Sequence, residues 1–339
     1  MTDLDALARI LDSAGTLGIV CHDSPDPDCI ASAFALRTIA EDRDVASVDI
    51  LYSGDISHQQ NRAFVNLLEI ELLPVDRSTI DEYDALAFVD HAIPGRNTAV
   101  PRGTSVDVVV DHHPVPDDVD VVGRFVDVRE SYGATASILV EYLDEFEVEP
   151  GPHLSSALLF ALHRECLDYV RNPSVHEYVA ARRVLPTTDL GILERMYGAA
   201  FTPATLDAMG RAIQTRETRG AALVSSVGRT TERDALPQVA EYLLNLEGIS
   251  TVLVFGIVDD SVQLSARSGD PRVDLGRVLH ETYSDIGTAG GHQDKAGGRI
   301  PLGLFADLDE ENEDQLDRLV SRRIVRRFFE ALGLDETDG

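Results

Sequence analysis

Three apolar runs that end directly on acid or histidine limit the folds open to this chain more than any other feature. Leu17–Cys21 is followed at once by His22, with Asp26 and Asp28 close behind. Ala85–Val89 runs into Asp90, and Val106–Val110 runs into Asp111, His112 and His113. Another strand is expected at Val45–Tyr52. Helical spacing appears between and after these runs. Cys29–Ala40 offers Ile30, Ala33, Phe34 and Leu36 on one side, and helices are expected at Ala134–Phe146, Leu154–Cys166 and Val175–Leu185. Short buried-type strands alternating with amphipathic helices predict an α/β fold, with a mostly parallel, doubly wound sheet and helices on both faces. Ligands of such sheets gather outside the carboxyl ends of the strands. The polar groups at the three strand ends stand where a site would form.

At 339 residues the chain is too long for one ordinary core, and its 44% hydrophobic content suffices for two. The reading places a first domain at residues 1–186, a helical connector at 187–219 and a smaller α/β domain at 220–339. Thr202-Pro203 is a good helix start, cap then proline. Strands are expected at Ala221–Val227, Thr251–Val258 and Val262–Ala266, with Asp259-Asp260 as the turn between the last two. Helices are expected at Leu236–Leu246 and Leu275–Tyr283, a strand near Ile300–Leu304, and a last helix over roughly 307–332.

Asp and Glu number 59 against 29 Lys and Arg, a net charge of -30, and Lys295 is the only lysine. Such a charge opposes compaction through self-repulsion. Molar salt cuts the Debye length to about 3 Å and removes most of that repulsion. The composition reads as that of a salt-accumulating halophile of archaeal type. The acidic surface argues against membrane binding and predicts weak or no binding to long nucleic acid. No apolar run approaches the ~18 residues of a membrane span. Cys21, Cys29 and Cys166 make no disulfide framework, and the acidic N-terminus carries no apolar signal core. A reducing, cytoplasmic setting is expected. Oligomeric state is open, a homodimer included.

His22, Asp26 and Asp28 lie in a loop stiffened by Pro25 and Pro27. Imidazole plus carboxylate suits Mn²⁺, Fe²⁺ or Zn²⁺ better than Ca²⁺. The plainer reading is an acidic loop in which Asp28 caps the next helix. One Asp at a strand end is usually a turn or cap. Three strand ends that each deliver Asp or His point instead to a shared metal centre.

The order His-x3-Asp-x-Asp, then a lone Asp, then Asp-His-His resembles the DHH phosphoesterases. The second half carries Gly290-Gly291-His292 followed by Ala296-Gly297-Gly298, with Arg267 and Ser268 upstream in LSARS. This resembles the substrate-binding motif of the DHH-associated C-terminal domain, in the subgroup of RecJ-like exonucleases, nanoRNase/pAp phosphatases and cyclic-di-AMP phosphodiesterases. The resemblance implies two Mn²⁺ per site, with Mg²⁺ or Co²⁺ as substitutes. His22, Asp26 and Asp90 would hold one ion; Asp28, Asp90 and His112 would hold the other, with Asp90 bridging. Two cations ~3.5–4 Å apart can activate a water and clamp both oxygens of an in-line displacement. His113 would polarise the phosphate or protonate the leaving oxygen, and Asp111 would orient a histidine. The family adds an Asp in a segment like G-I-x-T-D-T. The register here puts Glu165 at that position, with Asp168 one helical turn on as a substitute.

The implied activity is hydrolysis of short oligonucleotides, di-adenylates or 3′-phosphoadenosine 5′-phosphate. Glycines in GGHQDKAGG allow close approach of backbone N–H groups to an anion, and Arg267 and His292 would grip the substrate beyond the scissile bond. The plainer reading of this stretch is a flexible turn leading into a strand. Two alternatives stand beside the hydrolase: a non-catalytic nucleotide sensor or scaffold of the same fold, and an inorganic pyrophosphatase or polyphosphatase. His58, His153, His163, His176 and His280 read as surface or helix residues, His91 as a neighbour of the centre, and Cys21 and Cys29 as packing. The arginines of the last helix offset its dipole.

Overall fold

The computed structural model describes residues 4–56, 59–75, 80–116, 119–166, 168–170, 173–198, 202–306 and 310–334; His58 lies outside them. Two compact units divide the chain, Met1–Ala200 and Phe201–Gly339. The first contains helices α1 (Leu4–Ser13), α2 (Pro27–Asp42), α3 (Gln59–Leu67), α4 (Thr135–Glu145), α5 (Pro152–Glu165), α6 (Val175–Val184) and α7 (Leu190–Gly198). Its strands are β1 (Thr16–Asp23), β2 (Ser47–Ser53), β3 (Leu73–Pro74), β4 (Ala85–Val89), β5 (Val108–Asp111) and β6 (Phe125–Val128). The second holds helices α8 (Pro203–Thr215), α9 (Ala235–Leu244), α10 (Leu275–Tyr283) and α11 (Glu310–Ala331). Its strands are β7 (Glu217–Arg219), β8 (Ala222–Arg229), β9 (Thr251–Val258), β10 (Ser261–Ser268), β11 (Thr288–Gly291) and β12 (Lys295–Pro301).

The first sheet runs β3-β2-β1-β4-β5-β6 and is parallel throughout. This is the doubly wound order, and it reverses between β1 and β4. Ligands settle at such a switch, outside the carboxyl ends of the strands. Leu17, Ile19, Ala85, Ala87, Val89, Val108 and Val110 pack against helix residues such as Leu11, Ile30, Ile39, Leu139, Leu158 and Met196. The opposite face, Val20, Leu86, Phe88 and Val109, is covered differently. Ile80, Ala92, Val100 and Val106 from the inter-strand segments close it, and no described α-helix contributes. The expectation of helices on both faces therefore holds for one. Pro94, Gly95, Pro101 and Gly103 break any helix between β4 and β5, and both glycines take positive φ, 75° and 85°.

The second sheet runs β11-β12-β10-β9-β8-β7, parallel only at β8–β9. One face packs on α10 and α11 through Leu275, Leu279, Phe328 and Phe329, the other on α8 and α9 through Met209, Leu236 and Val239. The 187–219 stretch is shared out: α7 packs on α3 and α5, and α8 on β8 and α9. The last strand begins at Lys295 and ends at Pro301, earlier than the expected Ile300–Leu304. Gly290-Gly291 and Ala296-Gly297-Gly298 lie on the two arms of the β11–β12 hairpin, with Gly290 opposite Gly297, and His292 begins the turn between them. Glycine carries no strand signal in sequence, yet close packing requires it here. A Cβ on Gly291 would lie 2.5 Å from the Lys295 carbonyl, and one on Gly298 2.9 Å from Ala289 Cβ.

Candidate metal centre

The parallel sheet brings the ends of β1, β4 and β5 together at the switch. Asp90 follows β4 in the left-handed region at φ 63°, a conformation Asp tolerates better than most residues. Its N–H donates to the Val110 carbonyl at 2.9 Å, and the residue is 3% exposed. The two oxygens of its carboxylate face opposite partners. Oδ2 lies 3.4 Å from His22 Nε2, and Oδ1 lies 3.6 Å from His112 Nε2. His22 Nε2 is also 3.9 Å from Asp26 Oδ1, and His112 Nε2 is 3.8 Å from Asp28 Oδ2.

Asp26, not Asp28, caps α2: its Oδ1 accepts from the N–H groups of Asp28 and Cys29. Asp28 is instead buried, and its carboxylate takes the N–H groups of Thr135 and Ala136 at 2.8 Å each. These are free donors at the start of α4, where the helix dipole favours negative charge. The Thr135 hydroxyl donates to Asp90 Oδ1 at 2.7 Å. The ring orientations are set from behind. His112 Nδ1 sits 3.2 Å from the Tyr132 carbonyl and His22 Nδ1 3.1 Å from the Asp23 carbonyl. Each ring so held turns Nε2 toward the carboxylates.

Asp111 is buried and accepts from His113 twice, from N at 3.0 Å and from Nδ1 at 2.9 Å. The half-exposed His113 ring is 3.7 Å from Asp90 Oδ1. Its hydrogen bond to Asp111 outweighs burial and holds the imidazole up at about 9. His91 is buried on Phe88, ring centroids 4.3 Å apart, with Nδ1 on the Val89 carbonyl. Burial pushes it down to about 4.

Glu165 is the last residue of α5, and the charges of Asp26, Asp28, Asp90, His112 and His113 act on it. Asp168 does not join them. The helix ends before it, the backbone turns left-handed at φ 54°, and its 75% exposed carboxylate faces Tyr197 Oη at 3.3 Å and His163 at 3.5 Å. The one-turn spacing on a continuous helix therefore does not apply. Cys29 Sγ also faces the cluster, but it donates to the Val89 carbonyl and burial keeps its thiol protonated.

A divalent cation fits these residues. His112 Nε2 is buried and, among the described residues, has no hydrogen-bond partner, 3.6 and 3.8 Å from two buried carboxylates. Among the described residues, two groups of side chains stand close enough to hold a metal, His22–Cys29–Asp90 and Asp90–His112–His113, and Asp90 belongs to both. Burial and then the neighbouring carboxylates raise the Asp28 and Glu165 carboxyls. That repulsion is what bound positive charge relieves.

In the second unit, Arg267 lies on β10 with Nε on Glu241 and Nη1 on the Ala266 carbonyl. His292 is exposed in the β11–β12 turn, and nothing lies within 4 Å of where a Cβ on Gly290 would be. Gly297 has the Leu264 carbonyl 3.3 Å from that position. Ser268 is not a free contact: its hydroxyl is bonded to Thr251, to the Ser250 carbonyl and to Asp270 N–H. Sequence gives little sign of Thr135, only a Gly133-Ala134 pair ahead of a helix.

A parallel α/β sheet with a carboxylate–histidine centre at its switch, followed by a separate mixed-sheet unit, defines a two-domain protein built to hold divalent metal. The chain belongs to the DHH family and carries a DHHA1 domain: the DHH family N-terminal domain matches residues 16–162 and the DHHA1 domain matches residues 219–326. It is 36% identical over 322 residues to the uncharacterized protein MJ1633 of Methanocaldococcus jannaschii, covering 94% of this chain and 65% of that protein. An exopolyphosphatase-related protein from Bacteroides fragilis has the same fold, at a TM-score of 0.70 and 13% identity over 97% of both chains. RecJ from Thermus thermophilus aligns at a TM-score of 0.49 and 14% identity, over 99% of this chain and 59% of that one. No described helix is long and apolar enough to cross a membrane.

Proposed function

We propose that the chain is a Mn²⁺-dependent phosphoesterase that hydrolyses short nucleotides at the Asp90 centre. The observation that carries this reading is the Asp90 carboxylate, buried, with one oxygen toward His22 and the other toward His112. A carboxylate so placed serves two cations at once: His22, Asp26 and Asp90 on one side, and Asp28, Asp90, His112 and Glu165 on the other. When bound, the cations supply an activated water and neutralise charge on the phosphate. His113, protonated at neutral pH and fixed by Asp111, stands ready to give its proton to the leaving oxygen. Arg267, His292 and the backbone at Gly290–Gly291 and Gly297 are the groups of the second unit suited to bind nucleotide. The charge of -30 supports a salt-rich cytoplasm as the working medium.

The test is a Mn²⁺ assay in molar KCl over di-adenylates, short RNA, short DNA, 3′-phosphoadenosine 5′-phosphate, pyrophosphate and polyphosphate. Turnover of a short nucleotide in preference to the inorganic chains is expected. Turnover of pyrophosphate or polyphosphate alone would contradict the nucleotide reading, and metal binding without turnover of any would favour a sensor.

Metal uptake should be pH-dependent. Burial alone would lower the His22 imidazole, but Asp26 and Asp90 outweigh it and hold it up at about 11. The Asp28 and Glu165 carboxyls are raised as well. The His22 imidazole carries a proton that coordination displaces, and the raised carboxyls shift the balance in the same direction. Affinity is therefore expected to rise with pH, with protons released on binding. Calorimetric titrations in two buffers of different ionisation enthalpy measure that release, and equal heats in both would contradict it.

Glu165 and Asp168 separate cleanly under the same reading. Glu165→Gln should raise the Mn²⁺ concentration for half-maximal activity by about tenfold or more, since a group at the centre is lost. Asp168→Asn, at an exposed carboxylate facing Tyr197, should leave it nearly unchanged. A titration in which Asp168→Asn is the more damaged variant would reverse the assignment.

A further inference from the structure

We propose that Thr135 is a positioning residue that orients the shared carboxylate for both cations; this rests on the two-metal reading of Asp90. Thr135 opens α4 and is fully buried. A hydroxyl at the start of a helix usually caps it or bonds locally to the backbone. This one does neither. Among the described residues it bonds only Asp90 Oδ1, at 2.7 Å and 45 residues away in sequence. The helix cap is Ala134, which offers no side-chain bond.

The consequence follows from carboxylate geometry. An ionised carboxylate has about four acceptor sites on its two oxygens. Thr135 occupies one site on Oδ1 and leaves the others to face His112 and His22. Without the hydroxyl, the Asp90 side chain is free to turn toward the His113 ring, 3.7 Å from the same oxygen. Such a turn would carry Oδ2 away from His22. Thr135 also acts through its backbone, because its N–H and that of Ala136 hold Asp28. One residue thus ties together the two buried carboxylates that face His112. A side-chain change removes the Asp90 tie and spares the Asp28 tie, so the two roles can be separated.

The experiment compares metal-free wild type with Thr135→Val, Thr135→Ser and Asp90→Ala in calorimetric Mn²⁺ titrations, beside the thermal midpoint of each without metal. Valine keeps the shape and removes the donor. Thr135→Val should weaken Mn²⁺ binding about 10- to 100-fold, the range for groups that orient metal ligands. Its metal-free midpoint should stay near that of wild type, and Thr135→Ser should bring affinity back toward wild type. If wild type binds Mn²⁺ and Asp90→Ala does not, while Thr135→Val binds as wild type does, the positioning role is wrong and the metal centre stands. If Val and Ser lose midpoint and affinity alike, the residue is structural and the positioning role is again wrong. If wild type takes up no Mn²⁺, the two-metal reading itself fails.

Discussion

Asp90→Ala should lose about 10³-fold or more of its hydrolytic rate, because metal-ion catalysis contributes several kcal/mol to the transition state and each 1.36 kcal/mol is a factor of ten. The loss comes from geometry rather than folding. Asp90 contributes its backbone N–H to the Val110 carbonyl, and alanine keeps that bond. What disappears is the carboxylate between His22 and His112. Those imidazoles hold the Asp90 carboxyl well below its usual range even though burial pushes it up. Its removal leaves neither side of the centre with a shared ligand. Raising the Mn²⁺ concentration should recover little of the rate, unlike for Glu165→Gln, where one side keeps its full set. Steady-state kinetics on the best substrate of the panel, with circular dichroism to check the fold, measure the effect. Near wild-type turnover would remove Asp90 from the chemistry.

Glu177→Ala should cost about 3 kcal/mol of stability. Glu177 is fully buried, and its carboxylate accepts from Gly133 N–H at 2.9 Å, Ser137 Oγ at 2.9 Å and Ser174 N–H at 2.5 Å. Alanine leaves these donors unpaired in the interior, where each costs about 1–3 kcal/mol, less what the site recovers by relaxing. Burial raises the Glu177 carboxyl, but the donors of Ser174, Gly133 and Ser137 outweigh it, so the net position is below the ordinary range. A depressed folded-state carboxylate contributes stability above its unfolded pKa, about 4.3, and loses it as pH falls through the lower folded value. The gap between wild type and variant should therefore be full near neutral pH and shrink under acid. Thermal melts at several pH values read it, and a gap that stays constant into acid would show that the carboxylate charge plays no part. Gly133 lies two residues before Thr135, so the variant should also bind metal more weakly.

How much of this is legible in the sequence depends on distance along the chain. The apolar runs ending at Cys21, Val89 and Val110 announce their strands, because an apolar run that stops on a charged group is a local pattern. Their order in the sheet, with β1 beside β4, then brings His22, Asp90 and His112 into range. Asp28 is read as the cap of α2, although Asp26-Pro27 repeats the cap-then-proline pattern of Thr202-Pro203; what takes Asp28 out of that role is a tertiary partner. That partner is the start of α4, more than a hundred residues away, and nothing near Asp28 signals it. Thr135 is invisible for the same reason, since its hydroxyl matters through a long-range hydrogen bond; Glu177 carries the local Ser174-x-x-Glu177 capping-box signature, but its bonds to Gly133 and Ser137 have no local sign. Asp168 is misplaced by sequence because spacing on a continuous helix cannot show where the helix stops. The β11–β12 hairpin gives no strand signal because its glycines serve close packing on α10 and between the two arms, where β-branched residues would not fit.

The central claim is that Asp90 joins two cations in one site, and magnetic resonance of bound Mn²⁺ tests it most directly. Metal-free protein is titrated with Mn²⁺ in molar KCl and its electron paramagnetic resonance spectrum recorded at each step. The account predicts two ions per chain at saturation, with a spectrum of exchange-coupled manganese that Asp90→Ala abolishes. A saturated protein that shows only the pattern of isolated, uncoupled ions, or that binds one ion per chain, would contradict it.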